Sequence, residues 1–279
     1  MAPATTAMDG ADLLLAWAEP FTGGQGIPLT AFVVQLQDST GILAEYPSIC
    51  DGSDPTVLAA RSCRVPMARF SSVTSYDVNG LIDEYGMGLS QGDLIVAVVS
   101  AVNSKGVGPA SEANSVGELA QLPPAAPTTA PTRGAGTSDG QLDVGWAFLT
   151  LDSETGGSAV VSYALDVDDG AGGSFNEIVG GSPTTNPYTL NSKIVTTAIA
   201  SGATYRARYR AYNVHGWGAY SPIGTIAAAT TPAATPEPTL SIVGTGVEIS
   251  WPEPGDTGGD GVPLTSYRVE LLLTDGTYA

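Results

Sequence analysis

Twenty residues recur in this chain without a gap. Gly92–Ser111 lines up with Gly202–Ser221, and Ala101, Asn103, Gly106, Gly108 and Ser111 return as Ala211, Asn213, Gly216, Gly218 and Ser221. In the later copy Tyr205, Ala207, Tyr209 and Ala211 alternate with Arg206, Arg208, Arg210 and Tyr212. That two-residue period belongs to a strand with one buried and one wet face. A second feature recurs three times. Trp17, Trp146 and Trp251 each precede a glycine-containing turn and a strand led by Phe32, Tyr163 or Tyr267, and Trp251–Thr265 matches Trp17–Thr30 with one residue inserted. Periodic self-similarity of this length means a tandem array.

Totals bound what the repeated unit is. A length of 279 residues suits about two to three domains of ~100–150 residues each. Only 14% of residues are charged, and there are 35 glycines and 20 prolines, which points to an all-β chain with many turns. The net charge of −18 argues against nucleic acid and anionic membrane surfaces, both of which need basic patches. No run of apolar residues is long enough to span a bilayer. Met1–Thr6 has neither the basic nor the apolar region of a signal peptide, which fits a cytosolic chain or a mature or internal piece of something larger.

The spacings place an insertion. Trp17 and Trp146 are 129 residues apart, whereas Trp146 and Trp251 are 105 apart. Phe32 to Gly92 is 60 residues against 39 for Tyr163 to Gly202, so the first copy carries about 21 extra residues. The organisation expected is a first repeat over 1–121 with a cysteine-containing insert at about 40–80, a Pro-rich linker over 122–131, and a second repeat over 132–230. A second linker covers 231–238, and the N-terminal part of a third, incomplete repeat covers 239–279. Proline fixes φ and removes amide donors, so these linkers are expected to be extended and stiff. In a secreted protein their Thr/Pro runs are O-glycosylation candidates, with a plain linker as the alternative.

The pattern resembles fibronectin type III repeats. The residues that carry it are Trp146, Tyr163, Ile199, Gly202, Tyr205 and the run Ala211–Ser221. The resemblance implies tandem immunoglobulin-like β-sandwiches, with Trp17, Trp146, Tyr205 and Trp251 as structural core and Tyr205 forming a corner whose hydroxyl bonds back to the backbone. The first copy departs from the pattern, having Ile95 at the corner position. Cys50–Pro55 and Asn213–Gly218 are similar to stretches of the long surface proteins of ciliates and related protists. In a secreted array Cys50 and Cys63 close a disulfide; in a cytosolic chain they are free thiols.

Two sheet faces are candidate sites. In the layout that the resemblance implies, strand 160–168 neighbours strand 204–212, so Asp166 and Asp168 face the same way as Arg206, Arg208 and Arg210. That face is either a solvated ionic ladder or a docking surface. In the first repeat the equivalent positions hold Val33, Leu94, Val96 and Val98, an apolar outward row that needs a cover. The insert, a neighbouring protein or nothing at all covers it; the partner reading makes it a protein interface. Asp166–Gly170 and Asp256–Asp260 lack the ligand spacing of a calcium loop, His215 lies in a glycine-flanked turn where a surface role is expected, and no metal or cofactor is expected. No catalytic motif appears, so an enzyme is not expected within these residues.

In the third repeat Tyr267, Val269 and Leu271 should point inward with no opposite sheet to cover them. Either the chain continues or a neighbour donates the missing strands. The function expected is an extracellular, non-catalytic structural or adhesive component of a cell-surface or filament assembly, with copies of the chain or other filament subunits as partners. The alternatives are a binding module of a larger secreted enzyme and a receptor ectodomain.

Overall fold

A computed structural model describes residues 1–20, 27–71, 75–76, 82–84, 87–272 and 276–277. In the second repeat the strands Thr132–Arg133, Leu142–Gly145 and Ser192–Val195 form one antiparallel sheet. Asn176–Val179, Ser162–Val167, Thr204–Asn213 and Gly224–Ala227 form the other, with the short strand Gly216–Trp217 folded back on the end of Thr204–Asn213. Three strands facing four, in this order, is the β-sandwich that the resemblance to fibronectin type III repeats implies. Its core lies between the sheets, where Leu142, Val144, Trp146, Leu165, Tyr205, Tyr209 and Ile226 are buried. The Trp146 ring stands 5.8 Å from Tyr209 and 6.1 Å from Tyr188. Each large side chain so buried contributes about 1.5–3 kcal/mol.

The expected tyrosine corner is present. Tyr205 is 2% exposed; its Oη accepts from Ala200 N at 2.8 Å and donates to Ala198 O at 3.2 Å. The recurrent serine also has a physical reason. Ser221 Oγ accepts from Tyr209 N at 3.1 Å, and Ser111 Oγ accepts from Val99 N at the same distance. In both repeats a hydroxyl takes the place of a strand partner where the edge chain leaves the sheet.

The first repeat pairs Thr5–Asp9, Asp12–Ala16 and Ser62–Pro66 in one sheet, and Leu43–Glu45, Leu29–Gln37, Ala97–Asn103 and Gly106–Val107 in the other. The pairing divides its length differently from the insert proposed at 40–80. Cys63 lies on a sheet strand opposite Leu15, so the stretch through Cys50 and Cys63 belongs to the sandwich itself. The additional residues follow Pro66. There Met67, Phe70, Met87 and Leu89 enter the core beside Ile95, which stands where the second repeat has Tyr205. Backbone bonds tie this stretch to itself, with Leu89 N donating to Phe70 O at 2.9 Å. Spacing alone gives the size of an insertion but not its place, because both stretches lie between the same two strands.

Cys50 and Cys63 are joined in a disulfide. It ties the connection ahead of the helix Pro55–Ala60 to the strand after it. In the C-terminal part, Thr239–Val243 pairs with Gly246–Ser250 in a hairpin. Its apolar side chains stay exposed, Leu240 at 68% and Ile242 at 84%. Trp251, expected in a core, is only half-buried, with the Tyr267 ring 5.6 Å away.

Candidate functional site

The charged face of the second repeat is built by register. Asp166 lies opposite Arg208 and Ala164 opposite Arg210, while Asp168 N donates to Arg206 O. Arg206 Nε donates to Asp168 Oδ2 at 2.7 Å and its backbone N to Oδ1 at 2.8 Å. Arg208 Nη2 donates to Asp166 Oδ2 at 3.0 Å. Burial pushes the Asp168 carboxyl up, but the Arg206 side chain, the Arg206 and Gly170 amides and the Arg206 charge together hold it below the usual carboxylate range.

Aromatic rings fill the gaps between the arginines. Arg206 and Arg208 lie over Phe175, Arg208 and Arg210 over Tyr220, and Arg210 over Trp217, with guanidinium-to-ring distances from 3.8 to 5.2 Å. Cation–π contacts of this kind are worth roughly 0.5–2 kcal/mol each. Both aspartates are buried at 5% exposure, while the Arg206 and Arg208 side chains stay 34% and 30% exposed. Phe175, Trp217 and Tyr220 were not singled out in the sequence. Trp217 and Tyr220 had a signal in their aromatic spacing directly after the arginine strand; Phe175 had none.

The apolar face of the first repeat is less covered. Val33, Leu94 and Val96 are half-buried, and Val98 is 7% exposed although it points away from the inner core. Val98 lies opposite Gln35 and Val33 opposite Ser100. Leu94 bridges to Leu119 at the sheet edge. Of the additional residues, Met67, Phe70, Met87 and Leu89 join the inner cluster; residues 72–74, 77–81 and 85–86 lie outside the described residues.

The strongest geometry lies between repeats, where sequence reasoning had placed only stiff linkers. In the second repeat the turn after Trp146 contains the short helix Asp152–Thr155, whose last carbonyls have no partner within the helix. The linker supplies them: Leu122 N donates to Gly156 O at 2.8 Å and Ala125 N to Glu154 O at 2.9 Å. Asn213, fully buried, completes the set. Its Nδ2 donates to Leu122 O at 2.7 Å and to Thr155 O at 2.9 Å, and its Oδ1 accepts from His215 N. His215 Nε2 lies 2.7 Å from Gln121 Oε1, and burial lowers the imidazole below its ordinary value. The expected surface histidine is therefore a half-buried junction residue. Gly156 and Gly218 are required by close approach, since a Cβ would lie 2.1 Å from Leu122 O and 2.2 Å from Pro124 O respectively.

The next junction repeats the scheme. Thr230 N donates to Gly258 O at 2.7 Å and Ala233 N to Asp256 O at 2.9 Å. Linker donors three residues apart meet loop carbonyls two residues apart in both places. Asp260 N also donates to Ser201 Oγ at 2.8 Å, and a Cβ on Gly202 would meet Asp260 O. The hydrogen bonds come from the linker backbones as much as from the repeats, so proline content is only part of what makes these links stiff. Asp256 and Asp169, weighed earlier as calcium ligands, accept from backbone amides of their own turns. Among the described residues no three His, Cys, Asp or Glu side chains gather as a metal site, and no helix is long and apolar enough to cross a membrane.

No protein-family profile matches the chain, and no curated protein matches it. Among solved structures, the crystal structure of the chicken CNTN1 FN1–FN3 domains is similar over 90% of this chain and 74% of that one, at 15% identity and a TM-score of 0.36. The strand order described above, rather than this likeness, identifies the fold.

Proposed function

We propose that this chain is a non-catalytic structural and adhesive element of an extracellular or cell-surface assembly, in which successive sandwiches are locked end to end and associate sideways through sheet faces. The observation that carries the reading is the repeated hydrogen-bonded junction, Leu122 and Ala125 on one loop and Thr230 and Ala233 on the next. Domains free to swivel gain nothing from such joints, whereas a spacer that must hold its partners at fixed positions does. The Cys50–Cys63 disulfide supports an oxidising compartment. The Val33, Leu94, Val96 and Val98 row supplies the lateral contact, with other copies or related filament subunits as partners. The resemblance of the cysteine and glycine stretches to protist surface proteins accords with the same role, and the Thr/Pro linkers are the places for attached glycans.

The test is sedimentation and intact mass of the protein from its native source, with and without reductant, beside Val96→Arg in recombinant chain. A sedimenting polymer, and loss of lateral association in a folded Val96→Arg protein, are expected. A soluble monomer in the native source, or association indifferent to Val96→Arg, overturns the reading.

A further inference from the structure

Of the arginines on the outer face of the second repeat, Arg206 and Arg208 are satisfied and Arg210 is not. Arg206 Nε donates to Asp168 Oδ2 at 2.7 Å, and Arg208 Nε to Asp166 Oδ2 at 3.2 Å. Arg210 lies opposite Ala164 on the same pair of strands. The register that brings each of its neighbours a carboxylate therefore brings Arg210 a methyl group. Its Nε is buried without a hydrogen-bond partner, and among the described residues its guanidinium enters no ion pair. Nε is its only nitrogen among the buried, unpartnered atoms, and the residue as a whole is partly exposed.

An unpaired buried donor is costly, and a long side chain at a partly exposed position ordinarily swings out to water. Arg210 is held instead by two rings, Trp217 at 4.4 Å and Tyr220 at 4.6 Å. Tyr220 is shared with Arg208, which also lies over Phe175, so Phe175, Arg208, Tyr220, Arg210 and Trp217 alternate along one stack. Trp217 is itself fixed, edge-on to Tyr212 at 5.0 Å and paired with it across the short strand Gly216–Trp217. The guanidinium is thus ordered in advance, which removes part of the cost of binding.

We propose that Arg210 is a binding site for a carboxylate. The ladder already displays the chemistry, since its two sister arginines each donate to an aspartate while aromatic rings stack on them. A guanidinium presents paired in-plane donors that match the two oxygens of a carboxylate, and the outer nitrogens of Arg210 are the ones open to a ligand. Arginine, tryptophan and tyrosine are also the residues that most often anchor protein interfaces. An acidic side chain of a protein partner is therefore one source of the carboxylate, and a free small carboxylate is the other.

The site does not rest on the assembly reading and is tested on the isolated chain with synthetic probes. These are the acetylated, amidated peptides Gly-Glu-Gly and Gly-Gln-Gly, followed by the NMR signals of Arg210 Nε–H and Trp217 Nε1–H. Saturable shifts with the Glu peptide and none with the Gln peptide are expected, with a dissociation constant on the order of 10 mM, the scale of a single charge-assisted pair. Sodium acetate at equal ionic strength separates the sources. Equal binding of acetate assigns the site to a free carboxylate, and tighter binding of the Glu peptide to a protein side chain. Ala164→Asp is the deciding variant, because it leaves the arginine in place and supplies the carboxylate that the register withholds. Arg210 Nε–H should then shift without any probe, and the response to the Glu peptide should fall about tenfold or more. Arg210→Met keeps much of the apolar stem and removes the charge; it should abolish the Trp217 response, and it decides the matter if Ala164→Asp does not fold. No shift with either peptide, equal shifts with both, a response that survives Arg210→Met, or unchanged binding by a folded Ala164→Asp protein overturns the site.

Discussion

Asn213→Asp tests the junction where it is most exposed to failure. The substitution keeps shape and the acceptor for His215 N but puts a carboxylate oxygen in place of the Nδ2 donor, so no cavity confuses the outcome and the loss is at least that of the two bonds. Two acceptors lose that donor: Leu122 O at 2.7 Å and Thr155 O at 2.9 Å. Leaving a buried acceptor unsatisfied costs about 1–3 kcal/mol. Thr155 O sits at a helix end with Asn213 as its donor, whereas Leu122 O is on a half-buried linker that water reaches once it lifts. A loss of at least about 2 kcal/mol for the pair is therefore expected, which raises the opening equilibrium roughly 30-fold or more. The reporters are the Leu122 and Ala125 amides, bonded to Gly156 O and Glu154 O. Their hydrogen exchange, measured by mass spectrometry, should accelerate by that factor while the Tyr209 amide in the sandwich core stays protected. Asn213→Ala should behave similarly. If Leu122 and Ala125 exchange no faster than in the unmodified chain while the second repeat stays folded, the linker is held by something other than these bonds and the junction argument fails.

Three further outcomes are expected. The carboxyl of Asp168 is held below its ordinary value of 3.8, so its stabilising contribution is fully present above about that pH and is lost as pH falls through the lower folded value. Asp168→Asn should cost about 1.5–3 kcal/mol at neutral pH, from the loss of charge-assisted bonds, and the gap from the unmodified chain should narrow in denaturation curves taken progressively below pH 3.8; a gap independent of pH refutes the assignment. Tyr205→Phe removes the corner bonds to Ala198 and Ala200 and should lower the stability of the second repeat by about 1–2 kcal/mol, read by urea denaturation, with no change in the first repeat. Reducing the Cys50–Cys63 bridge, which spans 13 residues, should lower the stability of the first repeat by ~3 kcal/mol in the chain-entropy account; an unchanged midpoint in reductant argues that the reduced chain keeps the loop closed.

Much of the fold was legible because the strands announce themselves by period. Tyr205–Tyr212 alternates so regularly that its buried set followed from side-chain parity, and the resemblance supplied the neighbouring strand that brings Asp166 and Asp168 to the arginines. The corner came from the resemblance, carried by Tyr205 itself. What the residues could not show is what lies over a face. Asp166 and Asp168 look like solvated charges until Phe175, Tyr220 and Trp217, each distant or off the strand, close over the arginines. Nor could they place the additional length of the first repeat, since Cys63 and Met67 sit between the same two landmarks. The recurrence of Asn103 as Asn213 did mark the junction. Its meaning was hidden because a side-chain amide reaching 91 residues back to Leu122 leaves no local periodicity.

One strand meets both joints. Thr204–Asn213 ends in Asn213, which grips the linker behind it, and begins beside Ser201 and Gly202, which seat the loop of the unit ahead. Its ten residues span about 33 Å at ~3.3 Å per residue. Tension that reaches the second sandwich through these bonds therefore has one covalent strand to run along between the two joints, like a tendon running the length of a bone. The neighbouring strands carry such a load only as shear between hydrogen-bonded ribbons. Extension under load should thus begin at the linker bonds, well before any sheet is unzipped, and should reverse when the load is released.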